Sequence, residues 1–138
     1  MRLLLAVAVL IVAACGGGEP SPESVVRAWS QAVNSGDDDT AARLFAEGAR
    51  VVQENRVRRL ETYADALAWN AALPCSGRIV ALRTSGESVR AIYLLGTREG
   101  KECDGRGERT QTLINVRDGK IVLWHQLDPL STPEEEAA

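Results

Sequence analysis

Histidine, methionine and phenylalanine occur once each in this 138-residue chain, tyrosine twice and cysteine three times. One histidine, and cysteines without CxxC or Cys/His spacing, leave no motif for a metal site, and no cofactor is implied. Basic residues nowhere form a block and the net charge is −3. That argues against nucleic acid, whose phosphates demand clustered Lys and Arg. A long hydrophobic run is also missing: the longest, Leu3 to Ala14, has 12 residues, and a membrane-spanning helix needs about 20. The length suits one domain rather than two.

What stands at the N-terminus is Met1-Arg2 followed by that apolar run, the order of a secretory leader. The run ends in Val12-Ala13-Ala14-Cys15, which resembles the lipobox of bacterial lipoproteins. The resemblance implies a signal peptide over 1–14, acylation of Cys15 with palmitoyl-type chains, and anchoring on the extracytoplasmic side of a membrane in the cell envelope. Buried acyl chains contribute about 0.8 kcal/mol per CH₂, so two or more anchor stably. Gly16-Gly17-Gly18-Glu19-Pro20 reads as a tether within residues 15–21. A folded domain over 22–128 and an acidic, disordered tail over 129–138 complete the expected organisation.

Ser21-Pro22-Glu23 is a helix start, and Val25, Val26, Trp29, Ala32 and Val33 follow at helical spacing up to Asn34-Ser35-Gly36. Asp37-Asp38-Asp39 opens a second helix, expected to carry Ala41, Leu44 and Phe45 inward before Glu47-Gly48 stops it. Three adjacent carboxylates could suggest a metal, but at a helix start they are better read as caps. A hairpin is expected around Glu54-Asn55, with Arg50–Gln53 and Arg56–Arg59 as its arms. Thr62 and Asp65 approximate a capping box for a third helix running to Leu73, its apolar face interrupted by Asn70. From residue 78 the period changes to two. Strands are expected over 78–84, 88–97, 107–117 and 120–127, with a polar loop at 98–106 and a tight Asp118-Gly119 turn.

Helices followed by a run of antiparallel strands imply an α+β fold, with three helices packed on one face of a curved antiparallel sheet. Assigning Cys15 to lipid leaves Cys75 and Cys103, and an exported chain favours their pairing over two buried free thiols. The strand order supports it. Cys75 precedes the strand at 78–84, and the antiparallel strand after it ends beside that start, just before the loop holding Cys103. This loop has no apolar residue, so little besides a disulfide is expected to fix it.

The stretch Val25 to Asp37, then Leu44 to Ala49, and the closing hairpin Asn115 to Trp124 together resemble nuclear transport factor 2-like proteins. That superfamily includes ketosteroid isomerases and SnoaL-type polyketide cyclases. The resemblance covers about residues 23–127 and implies a cone whose mouth holds a pocket. Carried over, the isomerase Tyr falls on Trp29, its general base on Gln53 and its protonated Asp on Thr112. None of these keeps the isomerase chemistry. The pocket expected here is neutral and aromatic: Trp29, Gln53, Trp69, Thr112, Trp124 and Gln126, with Val122 on the same face as Trp124. It suits a small, mostly apolar ligand, or else the tryptophans fill the cone. His125 is expected on the opposite face from Trp124, and Tyr93 at a sheet face available for a homodimer.

The reading favoured by the sequence is therefore a membrane-anchored domain that binds a small ligand or a protein partner without catalysis. A cyclase- or isomerase-type enzyme with a non-standard site, built on Gln53 and Gln126, is the alternative.

Overall fold

The computed structural model describes residues 18–127; the expected leader, Cys15 and the acidic tail lie outside them. Ser21 accepts from the Ser24 N–H at 3.2 Å and starts α1 (Pro22–Asn34). Asp37 accepts from the Thr40 N–H at 3.1 Å and starts α2 (Asp38–Arg43). Hydrogen bonding from Thr40, its side chain first and its backbone N–H second, holds the carboxyl below the usual carboxylate range. The other two acids of the triplet also have partners: Asp38 binds Arg98, and Asp39 binds Arg43 and Tyr63. Thr62 and Asp65 form the full capping box of α3 (Tyr63–Ala71).

Six strands follow the order β2-β1-β6-β5-β4-β3, namely β1 (Phe45–Gln53), β2 (Arg56–Leu60), β3 (Cys75–Ser85), β4 (Ser88–Thr97), β5 (Arg109–Arg117) and β6 (Lys120–Leu127). All neighbours pair antiparallel except β1 with β6, which run parallel. A parallel pair needs a long crossover, and here everything between the first strand and the last supplies it. The Glu54-Asn55 and Asp118-Gly119 hairpins turn with positive φ at both residues, the twist that matches flanking strands.

Two expectations of phase are corrected. α2 ends at Arg43, Leu44 caps it, and Phe45 opens β1 opposite Ile121. Gly48 does not stop a helix; it sits at φ 77° within the register shift of β1 between Phe45 and Arg50, where glycine supplies a bulge without a Cβ clash. On β6 a second shift makes Val116 face Ile121 while Asn115 faces Leu123. Ile121 is therefore the fully buried residue, and Val122 is only half-buried.

The core fills the space between the helices and the inner sheet face, with Val26, Leu60, Val89, Ala91, Ile114 and Ile121 fully buried. At its edge lies Arg98, 3% exposed. Its guanidinium donates to the carbonyls of Val33 at the end of α1 (3.2 Å), Asn70 in α3 (2.8 Å) and Leu73 just beyond it (2.9 Å). It also pairs with Asp38 in the first turn of α2. The polar loop is thus fixed at its start by a buried cation, which the absence of apolar residues had concealed.

Cys75 and Cys103 are joined, their Cα atoms 4.8 Å apart. Cys75 is the first residue of β3 and pairs with Thr97, the last of β4. The loop returns to the sheet where the Leu95 N–H donates to Glu108 and the Gly107 N–H to Leu95.

Replacing Arg98 by Ala removes a donor from three carbonyls and the partner of Asp38. Urea denaturation is expected to show a loss of about 3–5 kcal/mol, the cost of breaking a buried ion pair by removing one member. Converting Cys75 and Cys103 to Ala releases a crosslink across 28 residues and lowers stability by about 3–4 kcal/mol. Limited proteolysis of that variant should cut within residues 99–106, while Arg98 keeps the helices assembled.

Candidate functional site

The curved inner face of the sheet, the C-terminal half of α1 and the loop after β4 enclose a cavity of about 350 Å³, within the range of small-ligand sites. α1 is docked to the edge of β3 by Asn34, whose side-chain amide donates to the Gly77 carbonyl and accepts from the Gly77 N–H, both at 2.8 Å. Ser30 donates to the same carbonyl at 3.1 Å. Gly77 also makes room for Tyr93: a Cβ there would lie 3.0 Å from the tyrosine ring.

Five of the six residues expected at the pocket line it: Trp29, Gln53, Thr112, Trp124 and Gln126. Trp69 does not. It stacks edge-on behind Trp124, with ring centroids 5.0 Å apart, and against Phe45 at 5.6 Å. Trp29 stands on the other side of Trp124 at 6.0 Å. The tryptophans therefore form one continuous cluster without filling the cone.

Their N–H groups divide unequally. Trp29 donates to the Asn70 side chain at 2.8 Å, and Trp69 to the Gln53 side chain at 3.2 Å. Asn70, the polar interruption of α3, is fully buried and also donates to the Ala66 carbonyl at 2.8 Å. The Trp124 Nε1–H has no partner, nor do the Tyr93 and Thr112 hydroxyls. All three residues are at least nine-tenths buried and line the cavity. Leaving such groups unpaired costs about 1–3 kcal/mol each.

Tyr93 corrects the expectation that it lies on an outer sheet face. Val89, Ala91 and Tyr93 alternate inward, and the tyrosine ring meets Trp29 edge-on at 6.4 Å. Burial pushes its phenol well above the ordinary range, with the nearby Thr112 hydroxyl opposing this, so Tyr93 stays neutral. The helix-covered side of β4 was the signal in the sequence that could have placed it. His125, by contrast, is on the outer face as expected, opposite Leu113 and Val52.

The cavity lining contains no lysine, arginine or histidine, and its carboxylates, Glu54 and Asp104, are exposed at the mouth. Gln126 donates to Thr110 at 3.4 Å beside them. Away from the mouth the lining is thus neutral and largely aromatic.

No protein-family profile and no curated protein matches this chain. Solved structures do. A nuclear transport factor 2-like protein of unknown function from Cytophaga hutchinsonii superposes with a TM-score of 0.65 at 14% identity, covering 88% of this chain and 98% of that one. A putative polyketide cyclase from Sinorhizobium meliloti gives 0.63 at 17% identity, covering 75% and 93%. A putative ketosteroid isomerase from Kribbella flavida gives 0.59 at 19% identity, covering 81% and 82%. These identities speak to architecture alone. Helices around a curved, unclosed six-stranded sheet with a pocket at its mouth make this a nuclear transport factor 2-like fold.

Proposed function

We propose that the chain is a lipoprotein of the bacterial cell envelope, acylated on Cys15, whose domain binds a small, mostly apolar ligand without catalysis. The observation that carries the binding reading is the set of unpaired groups on Tyr93, Thr112 and Trp124 within an aromatic cavity. An indole N–H only donates, so the ligand presents an acceptor oxygen to Trp124 while its apolar body meets Trp29 and Leu95. The non-catalytic reading rests on the interior's lack of an acid or base: the resemblance to the isomerases sets Gln53 and Thr112 at the positions of their carboxyls. The alternative, a cyclase-type enzyme using Gln53 and Gln126, has less support, since the Gln53 carbonyl is already engaged by Trp69. The anchor reading rests on the Met1 to Cys15 pattern alone.

Tryptophan fluorescence of the chain from Gly16 onward tests the binding reading against steroids, polyketide-like aromatics and fatty acids. A saturable change with a neutral carbonyl-bearing compound is expected, weakened about tenfold by Tyr93→Phe or Trp124→Phe, as befits one lost hydrogen bond. Silence across the panel would sink the ligand-binding reading. For the anchor, labelled palmitate fed to cells expressing the full chain should appear on the protein and vanish in the Cys15→Ala variant. Unchanged labelling in that variant, or none in the parent, contradicts acylation at Cys15.

A further inference from the structure

The sheet face turned away from the helices carries a charge pattern that the net charge hides. On β3, β4 and β5 three cross-strand rows lie side by side: Arg78, Leu94 and Arg109; Ala81, Ile92 and Gln111; Arg83, Arg90 and Leu113. Farther along the same face Arg50 stands opposite Arg59. Like charges directly opposite one another destabilise a sheet, and this face holds two such pairs, Arg50 with Arg59 and Arg83 with Arg90. Strands β2 to β6 contain no aspartate or glutamate. Arg59 reaches Glu61 at 3.2 Å. Among the described residues no carboxylate pairs with Arg50, Arg78, Arg83, Arg90 or Arg109.

Three occupants can be compared on these grounds. A second copy would meet this patch with the same patch, as two-fold symmetry requires, and so set guanidinium against guanidinium. A nucleic acid would find phosphate partners but only the half-buried His125 ring on which to stack a base. An anionic lipid surface answers both components. Guanidiniums take phosphates, and Ile92, Leu94 and Leu113, half-buried between them, meet the acyl boundary.

We propose that the arginine-rich outer face of β3, β4 and β5 docks the domain on an anionic phospholipid bilayer. The proposal does not depend on acylation of Cys15, and its test removes that residue. Among the described residues the hydrophobic core runs from Val25 to Trp124, so the test uses a chain beginning at Gly16. Sedimentation with phosphatidylglycerol-containing vesicles is expected to carry this chain down at low ionic strength. Pure phosphatidylcholine vesicles should not, and added salt should release it as screening shortens. Each arginine near the surface is worth about fivefold in partitioning. Arg83→Glu with Arg90→Glu, and separately Arg78→Glu with Arg109→Glu, should each weaken binding at least about tenfold. Arg27→Glu on α1 should not. Near-ultraviolet circular dichroism verifies that both pairs of variants stay folded. Equal binding to neutral vesicles, no binding at low salt, tighter binding to an oligonucleotide, or a dimer that the charge reversals abolish would each overturn the proposal.

Discussion

One guanidinium holds the helical layer to the rest of the molecule. Helix C-termini carry unpaired carbonyls and a partial negative charge, and here α1 and α3 bring theirs to the same place, beside the first turn of α2. Arg98 takes three of these carbonyls and Asp38 from outside the helices, at the residue where β4 gives way to its loop. The disulfide grips the same loop five residues later, from the first residue of β3. Together with the Asn34 and Ser30 bonds to Gly77, they register helices, sheet edge and cavity wall to one another.

The interior is organised by a second economy of polar groups. Buried indoles need acceptors, and two side-chain amides provide them, Asn70 for Trp29 and Gln53 for Trp69. Those amides occupy positions where a carboxylate would bring charge. The result is an aromatic wall whose fixed polar atoms are paired on the helix side and unpaired on the cavity side.

Much of the fold is legible in the sequence because its signals are local. Ser21, Asp37 and the Thr62–Asp65 box cap their helices as their side chains predict, and the two hairpin turns fall where Glu54-Asn55 and Asp118-Gly119 place them. The disulfide was also readable, since strand order alone brings Cys75 near Cys103. What escaped depends on partners distant in the chain. Arg98 reads as one more charge in a polar loop until three helix ends converge on it. Gly48 signals a break equally well in a helix or a bulged strand, and only the pairing of Phe45 with Ile121 decides. Tyr93 lies on a strand apolar on both sides, so alternation alone did not say which side the helices cover. The basic outer face was equally hidden: its arginines alternate with aliphatic residues, and no run of the sequence is basic.

The bulge on β6 has a consequence for how this scaffold could change its chemistry. Ile121 and Trp124 both face inward although three positions separate them, and the extra residue at Val122 supplies the odd step. Since strand residues alternate faces, a strand that lost that odd step by slipping would turn Trp124 outward and bring His125 into the cavity wall. An imidazole is thus held one step of phase away from the cavity wall. In this architecture, what the cavity wall presents is set by strand register as much as by the identity of the side chains.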